Sequence, residues 1–349
     1  LEIYAGGSVG TAANNLSIEV PGTITVKSGG SVYLGSNSAM SIKQVTGNAV
    51  SLTATQGTIT EVPWAAYPSI TSASLGIFAL EKQDVGQKSN YIYVWTSALN
   101  AIGVNIYINN LNKAATAIGL LGGEEEVFFN TGGAITAQGL GIIKGDNVVI
   151  NAGGQIGETG APMIINAGSL SMQGAGGLDL KVVSYSLNVD YMVGRTVTIE
   201  ALGNIGGGVI YATNLWIEAQ GNIGAPFNKL VIYVSRIVHL ASEYGGVYYV
   251  NIYPFYDKWI QRQLQPHYMA IYSVALVYFD TELGAEQTFC MLIGYSADIG
   301  WDVLGFYLLS DAQSCRAMTE DIMQRGVEGI DILFTDGNAQ LAEAFSAEV

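Results

Sequence analysis

Cysteine, histidine and basic side chains are all scarce in this sequence, with 2 Cys, 2 His and 14 Lys+Arg in 349 residues. Two cysteines, Cys290 and Cys315, cannot build a disulfide framework, and the first 240 residues have none. His239 and His267 have no partner at catalytic spacing, and no Ser-His-Asp or Cys-His arrangement is visible. His239, between Val238 and Leu240, reads as a satisfied strand residue, and His267, beside Pro266, as a surface or turn residue. Neither a phosphate-cradling glycine motif nor a Cys-x-x-Cys pair occurs. With 29 Asp+Glu the net charge is −15, which argues against nucleic acid as a partner. No apolar run reaches the length of a membrane-spanning helix. No basic n-region opens the sequence at Leu1, so no signal peptide is expected within this fragment. Charged residues are only 12% against 49% hydrophobic, which suits stacked elements buried above and below and does not suit disorder.

What the chain does have is glycine in a repeated setting. Gly7-Ser8-Val9-Gly10 leads to Leu16-Ser17-Ile18, Gly154-Gln155-Ile156-Gly157 to Met163-Ile164-Ile165, and Gly221-Asn222-Ile223-Gly224 to Leu230-Val231-Ile232. The shared pattern is G-x-[IV]-G-x(5)-[LM]-x-I. A further copy, Gly203-Asn204-Ile205-Gly206, reaches Leu215-Trp216-Ile217 after three extra residues. Gly29-Gly30 before Val32-Tyr33 and Gly245-Gly246 before Val247-Tyr248 extend the likeness. Glycine permits positive φ and close backbone approach, so Gly7, Gly10, Gly154, Gly157, Gly203, Gly206, Gly221 and Gly224 are expected at tight corners. Alternating apolar residues after them have the strand period. Corner and short strand in alternation predict a parallel β-solenoid, whose coils bury their apolar faces only by stacking.

The segments GSVGTAANNLSIEVPGTITVKSGGSVYLG, INAGGQIGETGAPMIINAGSLSMQGAGG and AQGNIGAPFNKLVIYV resemble the repeats of filamentous-haemagglutinin-type exoproteins, over about residues 1–250. That resemblance implies a right-handed parallel β-helix on a secreted or surface-attached rod. It also implies an extracellular or bacterial cell-surface location and a longer parent protein. The expected solenoid covers 1–253. Its coils begin as Leu16–Val20, Thr23–Val26, Ser31–Leu34, Met40–Ile42, Val50–Ala54 and Thr58–Val62. Residues 63–123 are less regular, either a decorated part of the solenoid or an insertion, although 91–95 and 104–108 read as strands. Glu124-Glu125-Glu126 reads as a solvated corner, because a metal site needs ligands from several coils. Asn109, Asn110, Asn147, Asn151, Asn166 and Asn204 fall near strand ends and read as stacked amides. An exposed aromatic row among the 20 tyrosines could bind sugar. A polysaccharide lyase would want clustered acids with a basic residue on one coil face, and none is visible in the sequence.

After Pro254 the grammar changes. The last 109 residues hold 9 of 44 glycines, and 4 Lys+Arg against 15 Asp+Glu, a net of −11. Strands are expected at 271–279, 288–293, 303–309 and 330–334. Helices are expected over 312–325, capped by Gly326, and over 338–345. Strand, strand, strand, helix, strand is the order of a small, partial α/β ribonuclease-H-like domain. Val303-Leu304-Gly305, Arg325-Gly326-Val327, Asp336-Gly337 and Glu343-Ala344 are similar to the core of Mutator-type bacterial transposases, over about 259–349. That resemblance implies three carboxylates holding two divalent ions. Asp336 falls on the second, as catalytic residue and metal ligand if the domain is active. Val274 stands where the first belongs, and Asp280, about 20 Å further along the strand, is its nearest substitute.

The expected function is a structural or adhesive segment of a large exoprotein carrying a degenerate transposase-like fragment, without cofactor. Its partners would be a host or neighbouring cell surface, with carbohydrate a candidate ligand, or other copies of the rod side by side or end to end. The alternative is a transposase or toxin nuclease on a β-helical stalk, which alone requires Mg²⁺ or Mn²⁺.

Overall fold

The computed structural model describes residues 1–63, 65, 67–253, 259, 261–280, 285–308, 312–335 and 342–343, with the side chains of 275–280, 285–289, 306, 308 and 312 excepted. The chain divides into two compact units, Leu1–Tyr253 and Pro254–Val349.

The first unit is a parallel β-solenoid of about 12 turns. Its interior is a set of columns in which each apolar side chain sits on its counterpart from the next turn. One column runs Leu16, Leu34, Leu52, Ile77, Ala101, Leu121, Ile143 and Ile165, each registered with the next. It continues through Val182, Ala201, Ala219 and Ser242. Every member from Leu34 to Val182 is fully buried. Burial of each such Leu, Ile or Val side chain contributes about 1.5–3 kcal/mol, so the columns supply most of the folding drive. The stretch 63–123 shares these columns. Val45, Ile70 and Val94 are parallel neighbours, as are Leu52, Ile77 and Ala101.

The glycine motif has a specific structural meaning. Gly10, Gly157 and Gly224 have φ of 70°, 72° and 68°, and each opens a tight hairpin. These hairpins are Thr11–Asn14, Glu158–Ala161 and Ala225–Asn228. A Cβ at any of the three glycines would collide with a carbonyl oxygen of the next turn, on Tyr33, Asp179 and Tyr248 respectively. The residue inside the motif bonds the next turn as well. Ser8 Oγ accepts from Ser31 N at 3.0 Å, and Asn222 Oδ1 from Gly246 N at 2.7 Å. A copy not apparent from the sequence lies at Val85-Gly86, where Gly86 has φ 75° and the hairpin is Gln87–Asn90. Gln83 occupies the place of its first glycine.

The copy at 203–206 departs from the others. Gly206 has no left-handed φ, and Gly208 takes φ 134° instead. Gly208 is registered with Leu230, so the structural counterpart of Leu230-Val231-Ile232 is Gly208-Val209-Ile210 and not Leu215-Trp216-Ile217. Gly7 has an ordinary φ and open space around its Cβ position, whereas Gly154 and Gly203 are crowded by the backbone of the preceding turn and Gly221 by the Asn204 side chain and backbone.

The second unit has a sheet in the order Gly300–Leu308, Ala285–Ser296, Ala270–Asp280, Leu333–Phe334. The first three are antiparallel, and the last is parallel to Ala270–Asp280. The helix Ala312–Gln324 buries Cys315, Met318 and Ile322 in a core with Tyr268, Ile271, Leu292 and Leu304. It ends at Gly326, φ 109°, with Gly326 N bonding Met323 O at 2.9 Å and Val327 N bonding Ile322 O at 3.3 Å. That pair of bonds is a Schellman cap. The single strand expected over 330–334 is instead broken. Gly329–Ile330 pairs with His267–Tyr268, and Leu333–Phe334 pairs with the main sheet. Asp331, at the break, is exposed and lies 3.1 Å from His267 Nε2. The helix expected over 338–345 falls largely outside the described residues.

Candidate functional site

The outward side of one solenoid face, over Leu178–Val182, Ser186–Ala201, Gly208–Ala219 and Leu230–Ser242, brings acidic, basic and aromatic side chains together. Strand alternation sends Leu180, Ile199 and Ile217 inward and their neighbours outward. Parallel register then lines up two outward rungs. One is Asp179, Thr198, Trp216, His239, and the other is Lys181, Glu200, Glu218, Ala241. This overturns the expectation that no coil face gathers acids with a basic residue. The members lie on successive turns at unequal sequence separations, so no spacing in the sequence announces them.

Each member has a definite neighbour. Lys181 Nζ lies 3.6 Å from Glu200 Oε2. Trp216 Nε1 donates to Glu218 Oε1 at 3.0 Å, and His239 Nε2 lies 3.5 Å from the same oxygen. The His239 ring stacks on Trp216, centroids 3.7 Å apart, so His239 is a strand residue whose ring faces outward. Two depressions share Glu200 and Glu218. One, of about 380 Å³, is lined by Lys181, Leu202, Gln220 and Glu243 among others. The other, of about 320 Å³, is lined by Thr159, Pro162, Asp179, Thr198 and Trp216. The Glu158–Ala161 hairpin opened by Gly157 thus stands at the rim of the second depression. Burial raises the Asp179 carboxyl above the usual carboxylate range, opposed by a bond from Thr159 and reinforced by Glu200.

Other expected features have definite partners, and Glu124 and Glu125 are exposed as a solvated corner should be. Glu126 is not simply solvated: it accepts from Tyr107 Oη at 2.6 Å and pairs with Lys88 at 3.3 Å. Asn130, registered between Asn109 and Asn151, completes an amide row in which Asn151 Nδ2 donates to Asn130 Oδ1 at 2.8 Å. Asn110 is buried and bonds Thr96 and Thr116 across a corner. Asn204 Oδ1 accepts from Asn222 N at 2.7 Å. Tyr211 stacks on Tyr233, centroids 4.5 Å apart, and Tyr191 follows at 5.8 Å.

In the second unit, Asp336 and the side chain of Asp280 lie outside the described residues. Tyr272 is registered with Phe334, and Asp280 ends the same strand eight residues beyond Tyr272, roughly 26 Å along it. Val274 faces Met291 in the neighbouring strand. Three described acids are engaged structurally: Asp302 with Arg262 at 2.6 Å, Asp321 with Arg325 at 2.8 Å, and Asp331 with His267. Among the described residues no cluster of His, Cys, Asp and Glu could hold a metal ion. Burial, with Cys315 nearby, pushes the Cys290 thiol up to about 11, which leaves it a poor nucleophile.

Among known proteins, no family model matches the chain and no curated protein matches it. The likenesses to exoprotein repeats and to transposases therefore rest on the motif residues alone. No helix among the described residues is long and apolar enough to cross a membrane.

Proposed function

We propose that Leu1–Tyr253 is a right-handed solenoid segment of a large secreted or cell-surface exoprotein, with a structural and adhesive role. The observation that carries the reading is the unbroken stack of registered columns from Leu16 to Ser242. Such a stack devotes its apolar residues to joining turns and leaves its outward positions free for display, turn after turn. Beads coated with the whole protein should adhere to cultured cells, saturably and in competition with soluble protein. Adherence no greater than that of albumin-coated beads would overturn the adhesive role.

A second reading assigns nucleic-acid processing to Pro254–Val349. The observation that favours it is the strand order, with three antiparallel strands and a fourth parallel to Ala270–Asp280, the earliest of them in the chain, as in a ribonuclease-H-like core. We take the unit to be a degenerate fragment of that kind, related to Mutator-type transposases and without catalysis. Mg²⁺ or Mn²⁺ would be required only if it were active.

A further inference from the structure

We propose that the depression bounded by Trp216, Thr198, Asp179, Glu200 and Glu218 binds an uncharged pyranose unit of a glycan chain. The inference deepens the adhesive reading and rests on it only for the source of the glycan.

Trp216 is the platform. The residue is 45% exposed, and His239 covers one ring face. On the opposite side its registered neighbour is Thr198, which is too small to cover an indole. The Trp216–Glu218 bond and the His239 stack hold the indole in place. A pre-oriented aromatic face binds the flat C–H face of a pyranose without the entropy cost of ordering a mobile side chain.

The polar groups complete the match. Glu200 and Glu218 are directly registered, on strands about 4.8 Å apart. Two carboxylates so placed offer acceptors to neighbouring hydroxyls of one sugar ring, and hydrogen bonds to ionised acceptors are the stronger kind. Thr159, Thr198 and Asp179 line the same space. Depressions on both sides of the Glu200–Glu218 pair leave room for more than one sugar unit along the face.

Charge sets the class. Asp179, Glu200 and Glu218 face one Lys, Lys181, which already pairs with Glu200. A uronate or sulfated sugar would bring an anion against this surplus of carboxylates, so acidic glycans are rejected.

The test follows the Trp216 indole ¹⁵N–H signal of the whole protein during titration with cellohexaose, xylohexaose, mannohexaose and, separately, hexagalacturonate. At least one neutral hexasaccharide should shift the signal saturably, and hexagalacturonate should not. Trp216→Ala should weaken binding by about tenfold or more by calorimetry, equivalent to about 1.4 kcal/mol. Thr198→Phe, which fills the depression, should abolish it. Tyr185→Ala, at an exposed aromatic elsewhere on the solenoid, should bind as the parent does. Thr198→Phe keeps the test valid if Trp216→Ala misfolds. The site is refuted if no neutral hexasaccharide shifts the indole, if hexagalacturonate binds as tightly, or if Thr198→Phe binds normally. Bead adherence that persists after such a failure would leave the adhesive reading standing and remove only this site.

Discussion

At the scale of single residues, two positions show how the solenoid constrains side chains. Gly224 combines φ 68° with a close approach to the Tyr248 carbonyl of the next turn. Gly224→Val should therefore cost on the order of 1–3 kcal/mol from backbone strain alone, with the collision added. Gly10→Val and Gly157→Val should behave alike. Gly7→Ala, at an open site with ordinary φ, should leave the thermal midpoint nearly unchanged. Equal midpoints for all four variants would show that the corner role is wrongly assigned. Glu61 is a different constraint. It is 8% exposed, and burial lifts its carboxyl above the usual range, opposed by bonds from the Ser69 hydroxyl and from Tyr93 N–H. A raised acid pKa in the folded state means the charged form disfavours folding. That cost is present at neutral pH and disappears as pH falls through the raised value. Glu61→Gln keeps an acceptor for Tyr93 N–H and removes the charge, so it should raise stability at pH 7 and lose the advantage near pH 4. Denaturant melts at the two pH values check the sign, and a constant difference would contradict it.

At the scale of elements, what a column position tolerates depends on its partners. Asn110 sits in a column between Val94 and Thr131, where the other turns have Ile70 or Ala152. It is accepted there because its oxygen takes N–H bonds from Thr96 at 3.1 Å and Asn112 at 3.2 Å, and its amide donates to Thr96 O and Thr116 Oγ1. Asn110→Ala would leave buried donors and acceptors unmet, and should cost about 2–4 kcal/mol in a denaturant melt. Asn130→Ala, in the outer amide row, should cost far less. This contrast also explains what the sequence reveals. Motifs built on Gly and Val or Ile are legible because corner and strand chemistry act locally. The Val85-Gly86 corner is not, since Gln83 breaks the pattern there. The 203–206 copy matches in letters but is registered differently, because Gly208 and not Gly206 takes the left-handed turn. The groove at Trp216 is illegible for a further reason. Its residues meet only through inter-turn register, and the lengths of the loops between turns set that register. In the second unit the strand order follows from apolar runs, while the break at Asp331 depends on pairing with His267–Tyr268.

At the scale of the whole molecule, charge and ligand geometry together decide whether the chain can process nucleic acid. The last 109 residues have a net charge of −11 within a total of −15, and a phosphate backbone is repelled by such a surface. Two-metal chemistry needs carboxylates that hold ions about 4 Å apart. Asp280 closes its strand roughly 26 Å beyond the residue registered with Phe334, after which the chain runs on to Asp336. Val274, placed nearer that register, carries no ligand atom. Among the described acids, Asp302, Asp321 and Asp331 are committed to Arg262, Arg325 and His267. The full chain should therefore neither cleave labelled duplex or single-stranded DNA with Mg²⁺ or Mn²⁺ nor retain it at low ionic strength. Low salt is the demanding condition, because it exaggerates any attraction between exposed charges. Asp336→Ala and Asp280→Ala should be indistinguishable from the parent in both assays. Metal-dependent cleavage by the parent that vanishes in Asp336→Ala would make Asp336 a working ligand. The solenoid would then be the stalk of a nuclease, and not the adhesive part of a protein whose second unit has lost its chemistry.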